Sequence, residues 1–596
     1  MKFLRLILWL CLWVPVAWAE PSRLPDVAIA SAHPLATAAG HEILARGGNA
    51  FDAAVAVAAA LAVVEPHGSG LGGGGFWLLH RESDGFETMV DARERAPLAA
   101  TEKMYLDAAG NPVPRRSLDG ALAAAIPGTP AALAHVAKKY GRLPLATSLT
   151  PAIRYVREGF AVTPAYRKWI THRVAALRAS SAAARVFLDR QELPALGHVV
   201  RQPELAGVLT RLGADGARDF YQGDTARLLV AGVRAAGGIW THADLAQYRV
   251  LERAPVRTRY RGMHVTAAAL PSSGGVVLAQ MLGILAGFDL DRLDRVARIE
   301  TIIGAMRLAY RDRARHLGDP DHVRVDVERL LSPAYIESLR RELVTSDTQS
   351  SRGTVPSLAG AGTNTTHFSI IDRDGNRAAV TLSLNGPFGS GFMPPGTGVL
   401  LNNEMDDFVL KPGVANLYGL TGSAAAPSAR GERSFGNGRM AAGMNNVTLG
   451  AYAAVSESAA PREPAANAIA PGKRPLSSMT PTFLETDSKV VVLGTPGGSR
   501  IITMVLLAAL DVAHGHGDPL AWVTGLRFHY QFSPDRVEYE PGAFTPDEIL
   551  ALTQHGHALA PREETYGNMQ LVVWDKKTRR LEAVSDPRGE GLGRVE

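Results

Sequence analysis

The run Asn364-Thr365-Thr366-His367-Phe368-Ser369-Ile370-Ile371-Asp372 holds a hydroxyl placed to cut its own chain. Ahead of it, Ser350-Ser351-Arg352-Gly353-Thr354 and Gly360-Ala361-Gly362-Thr363 are small and easily bent. After it, Asp374-Gly375 supplies the positive-φ positions of a tight reversal, and residues 378–385 return with the alternation of a strand. With Asp374-Gly375 at the turn centre, Thr366 faces Ser383. Ser383 and Asn385 then share a face beside Thr365. Attack by Thr365 Oγ on the Asn364 carbonyl would free an amine on Thr365. An α-amino group titrates near about 7.7–8.0, so its neutral fraction can act as base for its own hydroxyl. An ordinary polar hairpin is the alternative, and the hairpin alone does not decide between them.

Three further stretches carry chemistry. Met89-Val90-Asp91-Ala92-Arg93-Glu94-Arg95 reads as a strand end with two arginines, either surface charge or a fork for a carboxylate. Residues 400–408 read as a strand running into the acidic turn Glu404-Met405-Asp406-Asp407, either a solvated turn or cation site, or a clamp for an ammonium group. Lys473-Arg474-Pro475-Leu476-Ser477-Ser478-Met479 sets two hydroxyls before a strand. Residues 490–493 then enter Gly494-Thr495-Pro496-Gly497-Gly498-Ser499-Arg500 and a helix from Ile501, a strand–turn–helix that aims backbone N–H groups at an anion or oxyanion. The Walker lysine pattern is missing, which argues against phosphate.

Other signals are better explained by packing. Gly68-Ser69-Gly70-Leu71-Gly72-Gly73 satisfies the dinucleotide spacing but follows a helix and precedes the strand 76–80, the reverse of a nucleotide site. The stretch 40–49 reads as a helix ending at Gly47-Gly48, and 50–64, nearly all Ala and Val, as a helix buried on most sides. Residues 125–345 read as helical stretches with short Gly/Pro joints. The histidines never adopt metal-ligand spacing, so no metal and no cofactor is expected.

With 46% hydrophobic and 20% charged residues and a formal charge of +5, the chain reads as a soluble globular protein with no nucleic-acid or membrane-surface role. Residues 1–19 read as a secretory leader: Lys2 and Arg5, an apolar run over 6–16 too short to span a bilayer, and Ala17-Trp18-Ala19 as the cleavage site. The one cysteine, Cys11, lies in that leader, so the exported chain has no disulfide and no thiolate chemistry.

Taken in order, the blocks Gly47-Gly48-Asn49-Ala50, Gly72-Gly73-Gly74-Gly75-Phe76, Arg93-Glu94, Thr365-Thr366-His367, 402–408, 473–479 and 496–500 resemble the γ-glutamyltranspeptidases of the N-terminal-nucleophile hydrolases. The resemblance runs from about residue 27 to the end. It implies a four-layer αββα sandwich (α/β, more strictly α+β) built from two autoprocessed subunits, here 20–364 and 365–596. It further implies that Thr365 is the nucleophile and that Gly497 and Gly498 supply oxyanion-hole N–H groups. Arg93, helped by Ser477 and Ser478, would hold the donor's α-carboxylate. Asp407, with Glu404 and Asn385, would hold its α-ammonium, and Ser383 would hydrogen-bond the nucleophile. A zwitterionic glutamyl α-carbon calls for an arginine fork and a carboxylate on opposite sides of its pocket.

Two departures stand out. Ser383 replaces the family's frequent Thr, keeping the hydroxyl but losing the methyl that stiffens χ1. Tyr418 stands at the family's lid, but residues 419–470 form a long Ala/Gly/Ser/Asn-rich insertion whose composition suits a flexible excursion. The expectation is an exported, periplasmic or secreted enzyme that takes a γ-glutamyl group from glutathione or a related donor. It passes the group to water or to an amino acid or peptide. A β-lactam side-chain (glutaryl) acylase, a poly-γ-glutamate processing enzyme and an uncut, non-catalytic periplasmic binder are the rivals.

Overall fold

The helix Ala50–Val64 is buried along its whole length, as its nearly unbroken run of Ala and Val requires. Asn49 caps it in a reciprocal box with Asp52. The computed structural model describes residues 23–345, 364–422 and 465–596. The leader, the bendable run before Asn364 and the middle of the insertion lie outside the described residues.

Seven strands make one sheet, in spatial order Leu592–Val595, Ala28–Ser31, Thr366–Ile371, Arg377–Ser383, Gly74–Arg81, Phe86–Ala92 and Leu251–Arg253. Six make the second: Leu581–Ser585, Gln570–Asp575, Lys489–Gly494, Thr482–Glu485, Met263–Ala267 and Val256–Tyr260. The two sheets lie face to face. Ala50–Val64 covers the outer face of the first, and the helices Gly274–Leu285 and Ile501–His514 cover the second. This is the expected αββα sandwich.

The central strands of the first sheet are buried on both faces, so apolar residues fall at successive positions instead of alternating strictly with polar ones. Trp77, Leu79, Phe368 and Ile370 pack toward the Ala50–Val64 helix. Phe76, Leu78, Ile371 and Ala379 pack toward the second sheet. Between the sheets, His367 bonds Thr381 Oγ1 (2.8 Å) and Ser369 Oγ (3.2 Å), and Ser369 donates to the Gln570 carbonyl (3.0 Å). In the run 68–73, Gly72 and Gly73 serve close packing, as read: a Cβ on Gly72 would collide with the Leu400 carbonyl and one on Gly73 with the Ser383 carbonyl.

Four sequence readings need correction. The first helix is Pro34–Ala45, with Gly40 inside it, pressed against Ile29 and Val57 where a larger residue would not fit. The stretch 125–345 also contains five strands, each of two to five residues and too short to stand out. The segment 400–408 forms only an isolated bridge at Leu401 and then a 3₁₀ turn, Glu404–Asp407. Asn402 diverts it, its amide bonding the Gly72 and Ala125 carbonyls and its Oδ1 the Glu404 N–H.

The fourth concerns the hairpin register. Leu382 pairs with Thr366 and Arg377 with Ile371, one residue off the pairing of Thr366 with Ser383. The reversal is a three-residue loop, with Gly375 at φ 84° as its left-handed member. Asp372 braces it, its Oδ1 accepting the N–H of Asp374 (2.9 Å) and of Asn376 (3.0 Å).

Candidate active site

That register carries Ser383 to the position across from Thr365, and their hydroxyl oxygens stand 3.3 Å apart. The Asn385 N–H donates to Ser383 Oγ (2.8 Å), which leaves the serine proton free to point at the threonine. Thr365 Oγ1 is in hydrogen-bond contact with the carbonyl of Asn364, the bond it would cut. Thr365 holds φ 155°, which costs a β-branched residue about 1–3 kcal/mol and places that strain at the Asn364–Thr365 junction.

Thr365 opens on a cleft lined also by Arg93, Arg313, Ser383, Asn385, Glu404, Asp407, Tyr418, Ser477, Ser478 and Gly498. Every residue to which the resemblance gave a role thus lies at this cleft except Asn364 and Gly497, which lie next in sequence to Thr365 and Gly498; Arg95 and Asp406 do not line it. The strand Lys489–Gly494 delivers the turn, and Gly497 and Gly498 adopt φ 145° and 59° before the helix Ile501–His514. Asn385 is fixed by its Nδ2 bond to the Asn403 carbonyl (3.0 Å).

Arg93 and the acidic turn do not face each other across the cleft. Arg93 is fully buried and pairs directly with Glu404 and, at 2.5 Å, with Asp407; Glu94 is 3.6 Å away. Its Nε donates to the Pro475 carbonyl (3.0 Å). One cation therefore serves three carboxylates. Burial pushes Glu404 well above the usual carboxylate range, against the pull of Arg93 and with help from Glu94 and Asp407. Burial likewise raises Glu94 to about 7 and Asp406 to about 6. This excess of buried acid suits a cationic guest.

Tyr418 is buried over the turn: its hydroxyl donates to the Asn385 carbonyl (2.7 Å), and its ring leaves no room for a Cβ on Gly498. The C-terminal end of the stretch read as an insertion, 465–470, is among the described residues. Asn467, inside it, is held near the site, donating to the Asp407 carbonyl (2.7 Å) and accepting from the Leu476 N–H (3.0 Å). Sequence reading also missed Arg313. The signal was present, since Ile302, Met306, Ala309 and Arg313 follow helical spacing and place an arginine on a buried stripe. Among the described residues no group of His, Cys, Asp or Glu could hold a metal ion, and no helix is long and apolar enough to cross a membrane.

A threonine opening a strand of an αββα sandwich, beside a second hydroxyl and a glycine turn, defines an N-terminal-nucleophile hydrolase. The family model described as gamma-glutamyltranspeptidase matches residues 36–438 and 432–595. A glutathione hydrolase proenzyme of Pseudomonas sp. (strain A14) is 40% identical, covering 92% of this chain and 89% of that one. One of Escherichia coli (strain K12) is 37% identical, covering 96% and 91%. A crystal structure of cephalosporin acylase from Bacillus halodurans superposes with a TM-score of 0.78 at 27% identity, covering 98% of this chain and 99% of that one. The chain belongs to the γ-glutamyltranspeptidase family.

Proposed function

We propose that the chain is exported, cuts itself before Thr365 and then works as a γ-glutamyl transferase/hydrolase with glutathione or a related amide as donor. Thr365 Oγ1 attacks the Asn364 carbonyl carbon, its proton passes to the Thr365 nitrogen, and the peptide bond breaks to leave an ester and a free Thr365 amine. Water hydrolyses that ester, freeing the Asn364 carboxylate and the Thr365 hydroxyl. In turnover the amine takes the Thr365 hydroxyl proton as Oγ1 attacks the donor γ-carbonyl. The same proton leaves with the departing amine. Water or an acceptor amine then releases the γ-glutamyl group.

Asp407, Glu404 and Asn385 would hold the donor's ammonium group, Arg93 with Ser477 and Ser478 its carboxylate, and Gly497 and Gly498 the oxyanion. The observation that carries the reading is the position of Thr365 Oγ1, against the Asn364 carbonyl and at the mouth of a cleft with surplus acid. That surplus favours a donor with an α-ammonium over a glutaryl amide, which has none. Electrophoresis and N-terminal sequencing test it: two chains, with the smaller starting at Thr365, and a single inactive chain for Thr365→Ala. A small chain starting elsewhere, or an active uncut protein, would remove the proposed nucleophile.

A further inference from the structure

Two arginines line the cleft, in opposite company. Arg93 is shared among Glu404, Asp407 and Glu94. Arg313, on the helix Arg295–His316, is 7% exposed, and among the described residues it forms no ion pair with a carboxylate. Its partners are hydroxyls: Nε donates to Ser273 Oγ (2.9 Å) and Nη2 to Ser478 Oγ (3.0 Å). Its hydrogen-bond partners are neutral, and the one carboxylate whose charge reaches it, Asp407, is already paired with Arg93, so burying this guanidinium costs stability that its own contacts do not repay. Desolvation accordingly draws its pKa below the usual arginine value.

The contacts of Arg313 converge on Ser477-Ser478. Ser273 donates to the Ser477 carbonyl through both its Oγ (2.6 Å) and its N–H (2.8 Å). Arg313 thus braces Ser477 through Ser273 and touches Ser478 directly. A guanidinium can only donate. Ser478 Oγ must therefore accept from it, and the serine's own proton is left to donate elsewhere. Arg313, Ser477 and Ser478 all line the cleft that Thr365 opens on.

We propose that Arg313 is a positioning residue for the donor's α-carboxylate, setting Ser478 as a hydrogen-bond donor and supplying the positive charge that Arg93 spends on three carboxylates. The inference rests on the γ-glutamyl reading and deepens it. It makes the cleft selective for acyl donors with a carboxylate on the α-carbon, through two arginines. Arg93, set at the carboxylate, is also drawn on by the acid cluster that faces the ammonium group, and Arg313 adds its charge on the carboxylate side.

The test compares γ-glutamyl-p-nitroanilide with 4-aminobutanoyl-p-nitroanilide, which keeps the amine and lacks the carboxylate. Wild type should prefer the first. In Arg313→Gln, KM for the glutamyl compound should rise roughly 10–100-fold with kcat within about 3-fold, the worth of one charge-assisted contact. Its KM for the aminobutanoyl compound should stay within about 3-fold, so the preference collapses. Arg313→Lys, which keeps the charge without the fork, should show the same shift in weaker form. It carries the test if Arg313→Gln gives no processed protein. Equal losses on both compounds, an unchanged glutamyl KM, or failure of both variants to fold and self-cleave would overturn the role of Arg313. A wild type with no preference for the carboxylate would instead overturn the glutamyl reading, which separates the two failures.

Discussion

Ser383 stands across the hairpin from Thr365, with 3.3 Å between hydroxyl oxygens, and the three-residue loop at Arg373-Asp374-Gly375 puts it there. A two-residue turn would have set Ser383 against Thr366. Ser383→Ala should keep the fold but remove both the partner of Thr365 Oγ1 and the acceptor of the Asn385 N–H. Self-cleavage and kcat should each fall roughly 10–100-fold, about 1.5–3 kcal/mol, in a time course of chain separation and a donor assay. Ser383→Thr should restore both. A fully active Ser383→Ala would show that the serine plays no part at the nucleophile.

The cluster around Arg93 separates chemistry from stability. Asp407→Asn keeps the shape of the turn while removing one carboxylate from the ammonium side. It should lower kcat/KM for γ-glutamyl-p-nitroanilide by about 30- to 1000-fold, or 2–4 kcal/mol, with little change on the glutaryl analogue. Faster cleavage of the glutaryl compound by wild type would decide for the acylase. Arg93→Ala is a different experiment, because it strands Glu404, Asp407 and Glu94 in the interior without a counter-ion. It should cost about 3–5 kcal/mol of stability, read as a large drop in Tm or in the yield of processed protein.

How much of this was legible follows from the range of each signal. The nucleophile strand, the Ala50–Val64 helix and the 494–500 turn are local patterns, and period and glycine placement suffice to read them. Whether the loop at Gly375 held two residues or three depended on Asp372 accepting from Asp374 and Asn376, which composition does not reveal. The segment 400–408 failed as a strand because Asn402 bonds to residues far away in sequence. The pairing of Arg93 with Glu404 and Asp407 spans a comparable length of chain, and only the folded sandwich brings them together. Arg313 needed no distant information, only a stricter count of the helix's buried stripe.

Acid should weaken the protein through His367. Burial between the sheets holds this imidazole neutral, with its pKa lowered from 6.5 to about 3. The unfolded chain takes up a proton below 6.5 while the folded one does not, so stability falls as pH drops from 6.5 towards 3. By pH 4 the contribution should be on the order of 2–3 kcal/mol. Buried Glu65, raised to about 8, acts in the opposite sense, favouring the fold less as pH rises from 4.5 to 8. Comparing wild type with His367→Gln isolates the histidine. Urea midpoints between pH 4 and 7 should vary less with pH in the variant, and identical slopes would show that His367 titrates normally.

Tyr418 joins the two walls of the cleft and should govern which nucleophile reaches the ester. Its hydroxyl is tied to the Asn385 carbonyl, its ring covers Gly498, and Gln531 Nε2 donates to its carbonyl at 3.2 Å. Tyr418→Phe removes one hydrogen bond, worth about 1 kcal/mol, and leaves the cover in place. Tyr418→Ala removes the cover and opens the acyl-enzyme to water. Self-cleavage should be unaffected in both, since the hydrogen bonds of Tyr418 go to Asn416, Asn385 and Gln531 and not to Asn364. With Gly-Gly as acceptor, the ratio of transfer to hydrolysis should fall slightly in Tyr418→Phe and several-fold in Tyr418→Ala. A ratio unchanged in Tyr418→Ala would mean that water reaches the ester by a route this residue does not guard.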